Sequence, residues 1–167
     1  MFQDQKKIKL TPTQARKKIE WYCAYQERCH SEVRERLFSY GLFTKEVDEI
    51  VAHLVINNFL NEERFAEAYA SGKFRMKHWG KIKIKAGLKQ KRISDYCIKK
   101  GLAAIDGDEY LEVLKKEKEK KNKSIKDTAG ISKEKKTFQR KYKLISYLVG
   151  RGFEGDLVKE TVGEILK

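Results

Sequence analysis

Lys81, Lys85, Lys89 and Arg92 recur at spacings of four, four and three residues in the stretch "WGKIKIKAGLKQKR" (79–92). On a helix this spacing gathers the four cations into one stripe. A basic helical stripe can lie along a phosphate backbone or in an acidic protein groove. Residues 73–100 hold 11 basic side chains against one acidic one, Asp95, so the stripe has almost no internal partners. Arg140, Lys141 and Lys143 sit in a second basic stretch, 115–143, with a net charge of +9. Residues 1–72 balance 11 basic against 11 acidic side chains, so the net +14 of the chain comes from its middle. Such a field attracts polyanions. The run "KKEKEKKNK" (115–123) alternates glutamate with lysine and reads as a solvated surface instead. Nothing in the basic stretches resembles a base-reading code, so sequence-specific recognition is not expected.

Catalytic chemistry has little to stand on. The chain carries no GxxxxGK[ST] phosphate loop, no GxGxxG turn and no GxSxG elbow. His30, His53 and His78 are far apart in sequence. Ser31 reads as a helix N-cap next to His30, and His53 lies beside the apolar stripe of its helix and reads as exposed. Glu62 and Glu63 stand at a helix start, where carboxylates complement the dipole; only Glu67 lies near enough in sequence to complete a metal set. Cys23, Cys29 and Cys97 form no CxxC pair and read as free thiols of a reducing compartment. We expect no enzyme activity, no metal and no cofactor. The apolar runs are too short to cross a bilayer, and the N-terminal "MFQDQKKIKLTPTQ" lacks a signal-peptide core, so the expected location is the cytoplasm.

The elements that must carry these cations are helical and repeated. Aligned on Leu37, Leu88 and Leu148, the chain has Val33, Ile84 and Leu144 four residues before. Gly41, Arg92 and Gly152 lie four after, followed by Leu42, Ile93 and Phe153. Val47, Ile98 and Val158 come at ten, Val51, Leu102 and Val162 at fourteen, and Leu54, Ile105 and Ile165 at seventeen. Six of these seven positions are apolar in all three copies. The first pair marks one face of a helix, glycine suits a left-handed turn after it, and the later set marks the stripe of a second helix. Thr44 and Ser94 read as N-caps of that second helix. Arg92 in the glycine position requires a different turn or a strained residue.

A further helical pattern precedes each pair: Ile19, Trp21, Tyr22 and Tyr25 in the first copy, Phe65, Ala68, Tyr69 and Phe74 in the second, Tyr110, Leu111 and Leu114 in the third. The sequence therefore predicts an all-α fold of three tandem three-helix repeats, residues 13–57, 60–106 and 107–167, in an elongated, curved array. "NKSIKDTAGISKE" (122–134) reads as a mobile insertion in the third repeat. Trp79 in "HWG" reads as core or inter-repeat packing.

Three stretches resemble the signatures of the RecX regulatory proteins: "ERCHSEVRERLFSYGL" (27–42), "NFLNEERFAEAYASGKFRMKHWGKIKIKAGLKQKRI" (58–93) and "KYKLISYLVGRGFEGDLVKETV" (141–162). They occur in the family's order and span most of residues 15–166. Asn61-Glu62 stands where the family has two aspartates, Gly87 where it has a glutamate, and Arg92 where it has glycine. The resemblance implies a non-enzymatic protein that binds the RecA recombinase filament on single-stranded DNA. It implies inhibition of ATP hydrolysis, strand exchange and filament growth in recombination and repair. The binding residues expected are Lys81, Lys85, Lys89 and Arg92, then Arg140, Lys141 and Lys143, with Arg64 and Arg151 as signature arginines. Arg64 could equally serve a surface contact or a bridge between repeats, and Arg151 could serve helix-dipole compensation. A monomer without membrane contact completes the expectation. The other reading is a stand-alone basic helical protein that binds DNA through phosphate contacts, without a recombinase.

Overall fold

The computed structural model describes residues 9–126, 129–130 and 132–163. Among these, every regular element is a helix: α1 (Pro12–Tyr25), α2 (His30–Ser39), α3 (Thr44–Ile56), α4 (Glu62–Lys77), α5 (Lys81–Gln90), α6 (Asp95–Ala103), α7 (Gly107–Ser124), α8 (Lys133–Gly150) and α9 (Gly155–Gly163). The helices fall into three sets of three.

Local chemistry fixes where they begin. Thr11 Oγ1 accepts from the Gln14 N–H at 3.3 Å while the Gln14 side chain accepts from the Thr11 N–H at 3.1 Å, with Pro12 at the first helical position. Asn61, Ser94, Asp106 and Ser132 cap α4, α6, α7 and α8 through their side chains. Two expected caps are not caps. Thr44 is the first residue of α3; the position before it is Phe43, whose N–H donates to Glu46 at 2.8 Å. Ser31 lies inside α2, after Cys29, whose N–H donates to Glu32 at 3.3 Å. In both places a carboxylate three residues on replaces the short polar cap.

The repeat is visible in backbone and burial alike. Gly41, Arg92 and Gly152 all adopt left-handed backbone, with φ of 82°, 60° and 92°. Each donates its N–H to the carbonyl three residues back: Phe38 at 2.9 Å, Lys89 at 2.9 Å and Val149 at 2.8 Å. The second copy therefore keeps the same turn and accepts the strained arginine. Val33, Ile84 and Leu144, Leu37, Leu88 and Leu148, and Val47, Ile98 and Val158 are all buried. Ile165 lies outside the described residues.

Burial groups the three units around two cores. The first has its own core, built on Ile19, Leu37, Val47 and Leu54. The second and third share one core, which runs from Phe65 through Phe74, Tyr110 and Leu114 to Phe153 and Val162. Two residues cross over: Cys29 is buried in that shared core, and Leu60, at the start of the second unit, is buried in the first core. The shared core is tight where α4 meets α6: a Cβ at Gly101 would stand 2.7 Å from the Ala66 carbonyl oxygen.

Some side chains depart from expectation. Trp21 and Tyr25 point outward at 68% and 74% exposure and stack on each other, with ring centroids 5.6 Å apart. Leu111 is exposed, while Tyr110 and Leu114 are buried. His53 is half-buried and bonds Glu20 at 2.8 Å, tying α3 to α1. Of the insertion expected at 122–134, residues 122–124 belong to α7 and 133–134 to α8. Asp127, Thr128 and Ile131 lie outside the described residues.

Candidate functional site

The helices that carry the expected cations follow one another end to end. The N–H groups at the start of α5 lack helical partners of their own. Gly80 donates to the Arg151 carbonyl at 2.9 Å and Ile82 to the Gly152 carbonyl at 3.0 Å, both in the turn after α8. The Lys81 N–H donates to the Tyr110 hydroxyl at 2.9 Å, and that hydroxyl donates to Glu154 at 2.6 Å. Burial and the Glu154 bond push the Tyr110 phenol pKa up, so it stays a neutral donor. Only glycine fits here: a Cβ on Gly80 would stand 2.1–2.2 Å from the backbone of Gly152 and Phe153.

A related junction joins the first and second repeats. The Ser31 hydroxyl, at the start of α2, donates to the Lys91 carbonyl at 3.3 Å, just past α5. The Lys91 ammonium bonds Glu32 at 2.6 Å. Burial opposes both charges, but their mutual bond lowers the Glu32 pKa and raises that of Lys91. The second helices thus run α8, α5, α2, each C-terminal end meeting the next N-terminal end.

Seven of the nine expected cations lie on α5, on α8 or in the turn after α5, and six of these seven, all but Arg140, leave their charge at or near the surface. Lys85 is exposed and has no partner among the described residues. Lys143 is exposed and Lys141 half-buried, both likewise without a partner. Lys89 meets Asp95 at 3.6 Å, but both are exposed and the pair counts for little. Lys81 is half-buried, its ammonium 4.8 Å from the Tyr110 ring centre. Arg92 is exposed and edges a cleft of about 530 Å³ between α2 and α5, together with Glu32, Glu35, Phe38, Tyr69 and Lys91.

The other three arginines hold the protein together. Arg64 bonds Glu27 at 2.8 Å, the Asn58 side chain at 2.6 Å and the Asn58 carbonyl at 3.0 Å, which are the contacts of a bridge between the first two repeats. Arg140 donates to the Asn122 side chain at 2.8 Å and to its carbonyl at 3.2 Å, fastening the end of α7 to α8. Arg151 donates to the carbonyls of Lys77 and His78 and meets Glu117 at 3.2 Å. It compensates a helix dipole, but that of α4 in the neighbouring repeat.

Glu117 and Lys118 correct the reading of 115–123 as solvated surface. They are 3% and 7% exposed. Glu117 accepts from Tyr147 at 2.6 Å and bonds His78 Nδ1 at 2.7 Å. Burial opposes its charge, yet the bonds from Tyr147 and His78 and the charge of Arg151 hold its carboxyl below the ordinary range. Lys118 donates to the Thr161 carbonyl at 3.1 Å. Their position gives them away: Glu117 follows Tyr110 and Leu114 at seven and three residues, on the buried stripe of α7. Glu62, considered for metal chemistry, instead accepts from the Ser94 hydroxyl at 2.8 Å. Among the described residues no three His, Cys, Asp or Glu side chains gather to hold a metal, and no helix is long and apolar enough to cross a membrane. The three cysteines are free and buried.

Residues 61–102 match the family model described as "RecX, second three-helix domain". The regulatory protein RecX of Clostridium tetani is 31% identical over 135 residues, which are 81% of this chain and 59% of that one. RecX of Clostridium acetobutylicum is 30% identical over 140 residues, 83% of this chain and 62% of that one. The chain thus spans about six tenths of the length of these two relatives. The crystal structure of RecX from Lactobacillus salivarius shares the fold, with a TM-score of 0.75 at 22% identity over 92% of this chain and 96% of that one. With its repeat register, its all-helical architecture and these relatives, the chain belongs to the RecX family of regulatory proteins.

Proposed function

We propose that this chain regulates homologous recombination by binding the RecA filament assembled on single-stranded DNA and inhibiting its ATP hydrolysis, strand exchange and growth. It acts as a cytoplasmic monomer, with no cofactor and no chemistry of its own. The observation that carries this reading is the end-to-end run of α8, α5 and α2, with partner-free lysines on α8 and α5 and the exposed Arg92 at the junction with α2. A repeating filament offers equivalent sites at regular intervals, and an array of similar units can engage several of them. Each contact can be weak, because after the first the others form at high effective concentration. Lys85, Lys89, Arg92, Lys141 and Lys143 provide the contact charges, and Lys81 supports them from a half-buried position. Arg64, Arg140 and Arg151 hold the units in the relative positions that such multiple contact demands.

The test is ATP hydrolysis by the cognate RecA on single-stranded DNA, with this protein titrated in. Inhibition well below one chain per RecA monomer is expected. No inhibition, together with tight and salt-sensitive binding to bare DNA, would replace the proposal with the second reading, a stand-alone DNA-binding protein. What favours that alternative is the same set of partner-free lysines, since they would suit any polyanion.

A further inference from the structure

Seven aromatic side chains are strongly exposed among the described residues, and five of them are occupied. Trp21 and Tyr25 stack on each other. Phe38 lies under Arg34 at 5.8 Å, Phe43 under Lys9 at 6.0 Å and Tyr96 under Lys100 at 5.7 Å. Phe138 and Tyr142 differ: at 72% and 67% exposure, neither has a ring partner or a cation over its face among the described residues. They stand one turn apart on α8, about 6 Å along its axis. Leu144 and Leu148 bury a different face of that helix. Left open to water, the two rings gain nothing from burial and add little to folding.

Their surroundings select the partner. Helix α8 carries six basic side chains and one acidic one, with Lys135 a turn before Phe138 and Lys141 and Lys143 flanking Tyr142. In the repeat register, sixty residues apart like Leu88 and Leu148, Tyr142 corresponds to Ile82. Ile82 is 54% exposed on α5, one turn from Lys85. Exposed rings thus alternate with cations along α8, while on α5, across the junction at Gly80, the aliphatic Ile82 stands in the ring's place beside Lys85.

We propose that Phe138 and Tyr142 form a base-stacking platform for single-stranded nucleic acid. Their ring faces take two unpaired bases while Lys135, Lys141 and Lys143 neutralise the phosphates between them. Aromatic faces accept any base, so binding is indifferent to sequence. In a duplex the base faces are already stacked, so only phosphate contacts remain. An acidic protein groove would use the lysines but leave both ring faces unexplained. This deepens the filament reading, and rests on it only for the strand being present where the protein acts.

The test is fluorescence anisotropy of a labelled oligothymidylate, and separately of a labelled duplex, with no recombinase present. The double variant Phe138→Ala/Tyr142→Ala is expected to lose about tenfold or more in single-strand affinity, since each stacked base contributes roughly 1–3 kcal/mol. Its duplex affinity and melting temperature stay near those of the unaltered chain. Tyr142→Phe, which keeps the ring, retains single-strand binding. An unchanged single-strand affinity in the double variant, an equal loss on duplex, or no strand binding by the unaltered chain would each overturn the proposal. Loss of filament inhibition without loss of strand binding would mark the face as a protein-docking surface and overturn it too. A chain that stacks on single strands but leaves RecA ATP hydrolysis untouched would sink the filament reading and spare the platform.

Discussion

Arg92 and Gly152 occupy the same position in successive repeats, and both hold left-handed backbone, at φ 60° and 92°. The turn is the same; the residue is not. Arginine has a Cβ that crowds the following carbonyl in this conformation, at a cost of about 1–2 kcal/mol. Glycine avoids that cost but leaves a freer unfolded chain, which returns roughly 0.5–1 kcal/mol. Arg92→Gly is therefore expected to stabilise the protein by up to about 1 kcal/mol, or about 2–4 °C in melting temperature. It should also weaken polyanion binding, because an exposed cation is lost. Calorimetry and DNA binding on one variant measure both; a stabilised variant with unchanged binding would remove Arg92 from the contact surface.

Gly80→Ala tests the junction between the second and third repeats. The added methyl would collide with the Gly152 and Phe153 backbone, which has no side-chain freedom to yield. We expect a loss of about 1–3 kcal/mol, as for an overpacked core. Gly72→Ala is the control: it lies inside α4 with nothing within 4 Å of the new Cβ. It should stabilise the helix by about 0.5–1 kcal/mol. Equal melting temperatures for the two variants would contradict the docking described for Gly80.

Acid should loosen both junctions. Glu32 and Glu117 have lowered carboxyl pKa values in the folded chain. Their contribution is complete above the unfolded carboxyl pKa, about 4.3. It is lost as pH falls through their lower folded values. Lys91, with a raised pKa, adds stability that is complete below the ordinary lysine range and lost as pH rises through its folded value. Thermal melts from neutral pH downward should show falling stability in the carboxyl range, and Glu117→Gln should flatten that fall. An unchanged acid limb in this variant would show that the buried carboxylate is not the titrating group.

Arg151→Ala separates a fastener from a surface contact. It removes the cation beside Glu117 and two donors to the carbonyls of Lys77 and His78. His78 and Tyr147 still hold the carboxylate, so a loss of about 2–3 kcal/mol is expected rather than complete unfolding. A melting temperature equal to that of the parent would make Arg151 a surface residue after all.

Lys85→Glu with Lys143→Glu addresses the proposed interface. Neither lysine has an internal partner, so the fold should be unaffected. Inhibition of RecA ATP hydrolysis should weaken several-fold, and more so at low salt, where unscreened charge acts furthest. Full inhibition at low salt would exclude these two lysines from the contact.

The repeat could be read from the chain alone because its cause is local. A leucine and its apolar neighbours at helical spacing, then a residue in left-handed backbone, define a unit wherever they occur. Val33, Ile84 and Leu144 are buried for that reason, and the family signature sits on the same spacing. Lys85 was likewise legible as a contact candidate, since a cation without acidic neighbours in sequence has few partners to find in space. Other features depended on segments far apart in sequence. Glu117 looks like one charge among many in "KKEKEKKNK" until His78, Tyr147 and Arg151 converge on it. Arg64 and Arg151 each kept two readings in the sequence, an outward contact or a bond within the protein, and the internal bonds show only once Glu27 and the end of α4 come within bonding distance. The third open option, at Arg92, was decided by the turn hydrogen bond that all three copies share. Spacing along one helix is set by the helix itself. Which side chains meet across a junction is set by how the repeats pack, and the open rings of Phe138 and Tyr142 became evident only once the other exposed aromatics among the described residues had found partners.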